Sequence, residues 1–324
     1  TLQASTWGWV TPRASPVEPF GFSLTVFVVA GGALLMWAFV AWQRYREATG
    51  ADPLVHLSLL SIRPLRAGLV GLFTQNLILL GTFFVVPLYL QLVLGLDALE
   101  TGIKMLPISV TMFITAALGA RLSSRFSIRA IVRTGLASVS GGVLLLLSAV
   151  EPTLNGAGFA VAMAVLGAGM GLIASQLGNV VQSSVDASGR SEAGGLQFTG
   201  QQLGSSLGIA LIGAIVLSSL TNVVLSTVEQ DERLSSEVTE QVGVAVGAGI
   251  DFVTSDQIEA AAQDAGLDEA SSDALVEDYE TAQLQSLRLG LLAAALLVLV
   301  GVPSTAYLPH SLGTRGAGPS ATVH

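Results

Sequence analysis

The chain has 324 residues, 51% of them hydrophobic and 11% charged, with a formal net charge of -9 and a mean hydropathy of +0.68. Such a composition excludes intrinsic disorder and argues against a water-soluble globule. There is no cysteine, and the histidines are His56, His310 and His324. Disulfides, thiolate metal sites and cysteine nucleophiles are therefore excluded, and a histidine-based catalytic or metal cluster has little material.

In chain order, seven long apolar runs nearly free of charge follow one another: Phe20–Trp42, Ala67–Leu94, Met105–Ala120, Ile131–Val150, Phe159–Val181, Gly195–Leu220 and Leu289–Leu308. Roughly 17–25 apolar residues cross about 30 Å of hydrocarbon at 1.5 Å per residue. The third run falls slightly short, but its apolar stretch begins near Gly102. The expectation is an all-α polytopic membrane protein with seven transmembrane helices.

The chain opens on Thr1 with no positively charged signal-peptide region ahead of the first run, so it reads as the C-terminal part of a longer polypeptide. Residues 1–19 read as the extracytoplasmic end of a preceding helix. Trp7 and Trp9 would sit near the interface there, because the indole ring is apolar while its N–H seeks water. Residues 20–42 are predicted as a transmembrane helix of a linker region, and 43–66, with arginines, Pro53 and Pro64, as a cytoplasmic linker. Residues 67–220 hold five closely spaced transmembrane helices, 221–286 an acidic extracytoplasmic loop with short helices, 287–308 the last transmembrane helix and 309–324 a cytoplasmic tail.

Charge is unevenly placed. Residues 222–281 contain fifteen of the 23 acidic residues and only Arg233 of the 14 basic ones, so a slightly basic membrane body carries one very acidic segment. With Thr1 outside, the inner segments hold Arg44, Arg46, Arg63, Arg66, Arg121, Arg125, Arg129, Arg133, Arg190 and Arg315, and the outer side keeps Arg13, Lys104, Arg233 and Arg288. That distribution follows the positive-inside rule, so the N-terminus is expected outside and the C-terminus in the cytoplasm. Within the acidic segment Thr254–Gln257 fits a capping box ahead of a helix that Gly266 stops. A second helical stretch is expected to run from about Ser272 into the last span. The segment reads either as a solvated lid or as an acidic vestibule that concentrates cations.

No Asp, Glu, Lys, Arg or His lies in the middle of a span, so residues for proton coupling are expected elsewhere. The spans instead carry amides and hydroxyls at helical spacing. Gln197, Gln201, Gly204, Ser205 and Gly208 form one stripe, Gln176, Asn179 and Ser183 another, and Gln75 and Asn76 sit together. An amide in hydrocarbon needs a partner, so each either bonds between helices or lines a water-filled cavity. Gly204-x-x-x-Gly208 and Gly167-x-x-x-Gly171 are close-packing motifs, and Pro87 and Pro107 are expected to bend their helices. Six helices as three plus three is the unit of half a secondary transporter built from inverted repeats.

Specific strings carry a resemblance. Pro87-Leu88-Tyr89-Leu90-Gln91, then Gly95, Leu99, Gly102, Leu106 and Pro107, together with Gly194-Gly195 and Gln201-Gln202-Leu203-Gly204-Ser205-Ser206-Leu207-Gly208, resemble the second half of fourteen-span drug:proton antiporters of the major facilitator superfamily. The loop from Gly119 through Arg121 and Arg125 to Arg129 is similar to that superfamily's cytoplasmic loop motif, but Ser124 and Ser127 stand where an aspartate and a glycine would be. The resemblance implies that the last six helices are the C-terminal bundle of such a transporter and that an N-terminal six-helix half is the missing partner. It also implies a plasma-membrane exporter of small amphipathic or hydrophobic compounds, driven by the proton gradient with no other cofactor and no nucleic acid partner. Alternatives are a membrane subunit driven by a separate ATPase, since no Gly-x-x-x-x-Gly-Lys motif occurs, and a truncated scaffold that does not transport. An intramembrane enzyme would need a nucleophile, base or metal cluster that no span supplies.

Overall fold

The computed structural model describes residues 23–51, 54–248 and 252–309. The expected end of a preceding helix at 1–19, with Trp7, Trp9 and Arg13, lies outside the described residues, as do His310, Arg315 and His324.

Nine α-helices follow in order: α1 (Leu24–Ala48), α2 (Arg63–Leu88), α3 (Ala98–Leu122), α4 (Ile128–Ala149), α5 (Gly156–Ser183), α6 (Arg190–Gln230), α7 (Ser236–Ala248), α8 (Ser255–Asp264) and α9 (Glu269–Gly301), with no strand among the described residues. All but α7 and α8 are long and apolar enough to cross a membrane. Their starts are set by local side chains. Asp97 and Glu100 form a reciprocal capping box on α3, with the Glu100 N–H donating to Asp97 Oδ1 at 2.7 Å. Ser127 accepts from the Ala130 N–H on α4 and Asn155 from the Gly158 N–H on α5. Each cap satisfies an N–H that the first helical turn leaves without an intrahelical partner.

Two helices run further than their apolar runs predict. α6 continues ten residues past Leu220 to Gln230, giving 41 residues and about 62 Å at 1.5 Å per residue. No glycine or proline interrupts 221–230, and Leu220, Val224 and Val228 continue one buried stripe at a spacing of four. α9 starts at Glu269, so the expected helix from about Ser272 does run into the last span. It ends at Gly301 rather than Leu308, because Pro303 cannot continue the hydrogen-bond ladder and the chain tightens into a 3-10 turn over Pro303–Tyr307.

The six helices α2–α6 and α9 form the bundle. α5 packs on α3 and α4, α2 packs on α6, and α9 lies against α6, α2 and α4. The α2–α5 contact joins the two groups. Exchanging the triplet α2, α3, α4 for α5, α6, α9 carries the α2–α6 interface onto α5–α3, whereas the α6–α9 interface has no comparable α3–α4 counterpart. Outward faces are apolar: Phe113 is 77% and Leu99 72% exposed on α3. α1 stands apart, with no extensive helix contact among the described residues and with Leu35 72% exposed. Apolar faces of this extent need lipid or another helix to cover them.

The two ends of the bundle differ in charge. At one end Arg129 donates through Nε to the Leu308 carbonyl, and Arg133 Nε donates to Thr305 Oγ1 at 3.2 Å. His56 meets Glu192 there, its N–H donating at 2.8 Å and its Nδ1 lying 2.9 Å from the carboxylate. At the opposite end the overhanging parts of α6 and α9 join α7 and α8 in an acidic cap with a core of its own, built from Leu220, Val224, Val228, Val238, Ala274 and Tyr279. The expected capping box is present on α8, where the Thr254 N–H donates to Gln257 Oε1 at 3.1 Å, and Gly266 at φ +76° ends the segment. The acidic segment is therefore a folded helical subdomain. Arg233 bonds both Asp231 and Glu277, the latter at 2.7 Å, and its hydrogen bonds hold the Asp231 carboxyl below its ordinary value.

Candidate functional site

Helix approach decides where the polar residues of the bundle point. A Cβ on Gly204 would stand 2.2 Å from the Phe73 carbonyl oxygen, and one on Gly208 2.2 Å from the Leu77 carbonyl oxygen. The expected packing motif thus brings α6 onto the backbone of α2. Gly167 and Gly171 do the same for α5 on α3, against the carbonyls of Ile108 and Met112. Because Gly204 and Gly208 face α2, Gln197, Gln201 and Ser205 lie only half-buried along the edges of that contact. Gln197 Nε2 comes near α5 at Gly178.

Two of the amides tie helices together. Gln75 on α2 donates through Nε2 to the Met170 carbonyl of α5 at 3.0 Å, and Gln176 on α5 donates to the Gly119 carbonyl of α3 at 2.8 Å. Gln176 is fully buried. Asn76 and Asn179 bond back to Leu72 and Ser175 one turn earlier on their own helices, with Asn179 exposed and Asn76 half-buried. The Gly119 carbonyl already accepts the Ser123 N–H. Gln176→Leu therefore orphans no carbonyl, removes a buried and unpartnered Oε1, and is expected to change stability by less than about 1 kcal/mol in thermal or denaturant unfolding.

A further polar stripe on α6 is one the sequence reading passes over. Thr199, Gln202 and Ser206 are exposed on α6, on the side away from Gly204 and Gly208. Their hydroxyls are occupied within the helix, Thr199 on the Gly195 carbonyl and Ser206 on the Gln202 carbonyl, which leaves the Gln202 amide as the free donor and acceptor of the stripe. The signal for it was present: a glycine pair marks the packed side of a helix, and polar residues opposite that pair face outward.

Most of the remaining motif residues lie at helix ends and turns. Pro87 lies within α2, two residues ahead of a π-helical turn over Tyr89–Val93, and the helix continues through it to Leu88. Tyr89 is buried. Its hydroxyl donates to the Glu151 carbonyl at 2.7 Å and accepts from the Glu151 N–H at 3.2 Å, and its ring meets Phe159 at 6.5 Å between centroids. Arg288 from α9 donates twice to the neighbouring Val150 carbonyl, at 2.7 and 3.0 Å, where a helix C-terminus favours positive charge. Gln91 is exposed, and Pro107 sits inside α3 with its carbonyl accepting from Thr111 Oγ1.

In the loop motif, Gly119 lies against Ser175, Arg121 and Arg125 are exposed, and Arg129 holds the turn after α9. Ser124 donates to the Arg121 carbonyl and Ser127 caps α4, so both serines serve the turn itself. No group of three His, Cys, Asp or Glu is placed to hold a metal ion among the described residues.

The family model described as Major Facilitator Superfamily matches residues 6–209. Among the curated relatives, the Tetracenomycin C resistance and export protein of Streptomyces glaucescens is 29% identical over 68% of this chain and 38% of its own length. The Probable actinorhodin transporter of Streptomyces coelicolor is 30% identical over 63% of this chain and 36% of its own length. The Multidrug efflux pump LfrA of Mycolicibacterium smegmatis is 28% identical over 66% of this chain and 42% of its own length. The match thus spans well under half the length of each of these relatives. A six-helix bundle locked by glycine pairs, seven apolar helices and a family match over most of the chain lead to one conclusion: this is a multi-pass membrane protein that belongs to the major facilitator superfamily of transporters.

Proposed function

We propose that this chain acts as the C-terminal half of a proton-coupled exporter of small amphipathic or hydrophobic compounds. The bundle α2–α6 and α9 forms one wall of a central cavity, and a six-helix N-terminal half forms the other. Alternating access comes from rocking one half against the other around a site near the midplane. The arginine end lies in the cytoplasm and the acidic cap outside, as the positive-inside rule requires.

The observation that carries this reading is the exposed stripe Thr199, Gln202 and Ser206, a polar track flanked by exposed Phe198, Leu203 and Leu207 on a helix whose opposite side is packed glycine to backbone. Polar side chains on a spanning helix are disfavoured against lipid, so a track left uncovered by its own bundle calls for a water-filled cavity or a facing helix. The relatives whose names carry resistance, export or efflux support export as the direction of transport. No ionisable residue lies at mid-span in this chain, so the proton-binding group is assigned to the other half.

The test uses membrane vesicles that hold either the chain alone or the chain joined behind a six-helix half. Ethidium movement is followed by fluorescence, with and without a protonophore. The joined protein exports ethidium until the protonophore is added, the chain alone does not, and Gln202→Leu lowers the export rate at least fivefold at equal expression. Transport by the chain alone, or export that survives the protonophore, contradicts the proposal.

A further inference from the structure

The acidic cap encloses a cavity of about 510 Å³ that the export reading does not use. Its wall comes from α6, α7, α8 and α9 and the connections between them, through side chains such as Val224, Val242, Ile258, Leu267, Leu275 and Tyr279. On α8 and its C-cap the lining positions Ile258, Ala261, Ala262 and Ala265 fall at spacings of three and four, so one face of that short helix is given over to the cavity. Protein interiors tolerate few voids larger than a water molecule, whereas small-molecule sites span about 300–1,000 Å³ and are mainly apolar. Ala245 and Ala261 line the cavity and are themselves exposed, which marks its opening between α7 and α8.

The surroundings select the sign of an occupant. Residues 222–281 carry fifteen acids against Arg233, and that arginine is held by Asp231 and Glu277. α7 bears Glu237 and Glu240, and α8 bears Asp256, Glu259 and Asp264. On a different face of α7 an open groove is lined by Glu229, Asp231, Glu232 and Glu240. A low-dielectric cavity inside a segment whose charge is almost all of one sign raises the local concentration of the opposite sign. The lining itself contains no carboxylate, and its polar members are Gln241 and Tyr279. The Tyr279 hydroxyl accepts the Val253 N–H. A small hydrophilic cation would lose its water here without a partner, so the occupant needs an apolar body.

We propose that the cap cavity binds a hydrophobic organic cation, with the apolar body between α7 and α8 and the positive charge directed outward to the acidic surface of the cap. The site does not depend on transport and stands or falls apart from the export reading. It gives the cap a role between the two sequence readings: a folded lid that also holds cations.

The experiment is calorimetric titration of the full chain in lipid nanodiscs with tetraphenylphosphonium and, separately, with the size-matched anion tetraphenylborate. Comparison with variants cancels partition into lipid. The parent chain takes up one tetraphenylphosphonium saturably and shows no saturable site for tetraphenylborate. Ala245→Trp and Ala261→Trp, which fill the opening from exposed positions, weaken the cation at least tenfold. Replacing Glu237 and Glu259 by Gln and Asp264 by Asn weakens it several-fold and removes most of its salt dependence. Equal binding of the anion, or unchanged cation binding in the tryptophan variants with their melting temperature retained, overturns the proposal. If either tryptophan variant fails to fold, the charge-neutral variant decides, and unchanged affinity in it is likewise fatal.

Discussion

Gly208→Val will separate α6 from α2 and remove most of the folded chain from the membrane. A Cβ at this position would stand 2.2 Å from the Leu77 carbonyl oxygen and 2.9 Å from its carbon, and Gly204 meets Phe73 in the same way. The obstructing atoms are backbone inside a regular helix, so no side-chain rotation relieves them and the interface must open along its length. Overpacking a core usually costs about 1–3 kcal/mol where side chains can move aside. Here the expectation is at or above the top of that range, with the Gly204/Gly208 double substitution abolishing the fold. Gly141 on α4 is the control, since a Cβ there meets nothing within 4 Å. Gly141→Ala should be neutral or stabilising by up to about 1 kcal/mol, because alanine loses less backbone entropy in a helix. Yield of monodisperse protein and the unfolding temperature in detergent check both. A Gly208→Val chain that melts with the parent would show that the helices are not in backbone contact.

Tyr89→Ala is the second large effect, and Tyr89→Phe dissects it. The side chain is buried at the junction of α2, the turn between α4 and α5, and Phe159. Loss of a buried aromatic ring typically costs about 3–5 kcal/mol, through lost burial and the cavity left behind. The hydroxyl adds a separate part. It donates to the Glu151 carbonyl at 2.7 Å and accepts the Glu151 N–H at 3.2 Å, so its removal orphans groups at the end of α4 and should cost about 1–2 kcal/mol. Arg288 grips the adjacent Val150 carbonyl from the other side. Tyr89→Phe and Arg288→Ala should therefore be non-additive in a double-mutant cycle, while Tyr89→Phe and a change in the distant cap should add. Additivity between Tyr89 and Arg288 would mean that they do not share this helix end.

Much of the site region was legible as chemistry but not as direction. The stripe Gln197, Gln201, Gly204, Ser205 and Gly208 is a true helical stripe, yet its centre is packed glycine and its amides sit at the margin. Spacing shows which residues share a face and is silent on whether that face meets α2 or open space. Gln176 and Gln75 had two readings, a cavity or a partner helix, and the fold bonds them to the Gly119 and Met170 carbonyls. The Arg129 contact with the Leu308 carbonyl joins residues 179 apart, a separation no local pattern reveals.

Sequence alone determined the seven apolar helices, the acid-rich segment, the α8 capping box and the glycine pairs, because length, hydropathy, cap chemistry and the absence of a Cβ act locally. Tertiary structure decided the rest. It took α6 ten residues beyond its apolar run, because Val224 and Val228 found partners in α7 and α9 that hydropathy averages cannot see. It turned an acidic loop into a cap enclosing a cavity, since enclosure requires four helices to meet. It also chose Gln202 as the outward amide, because only the docking of Gly204 and Gly208 on α2 says which side of α6 remains uncovered.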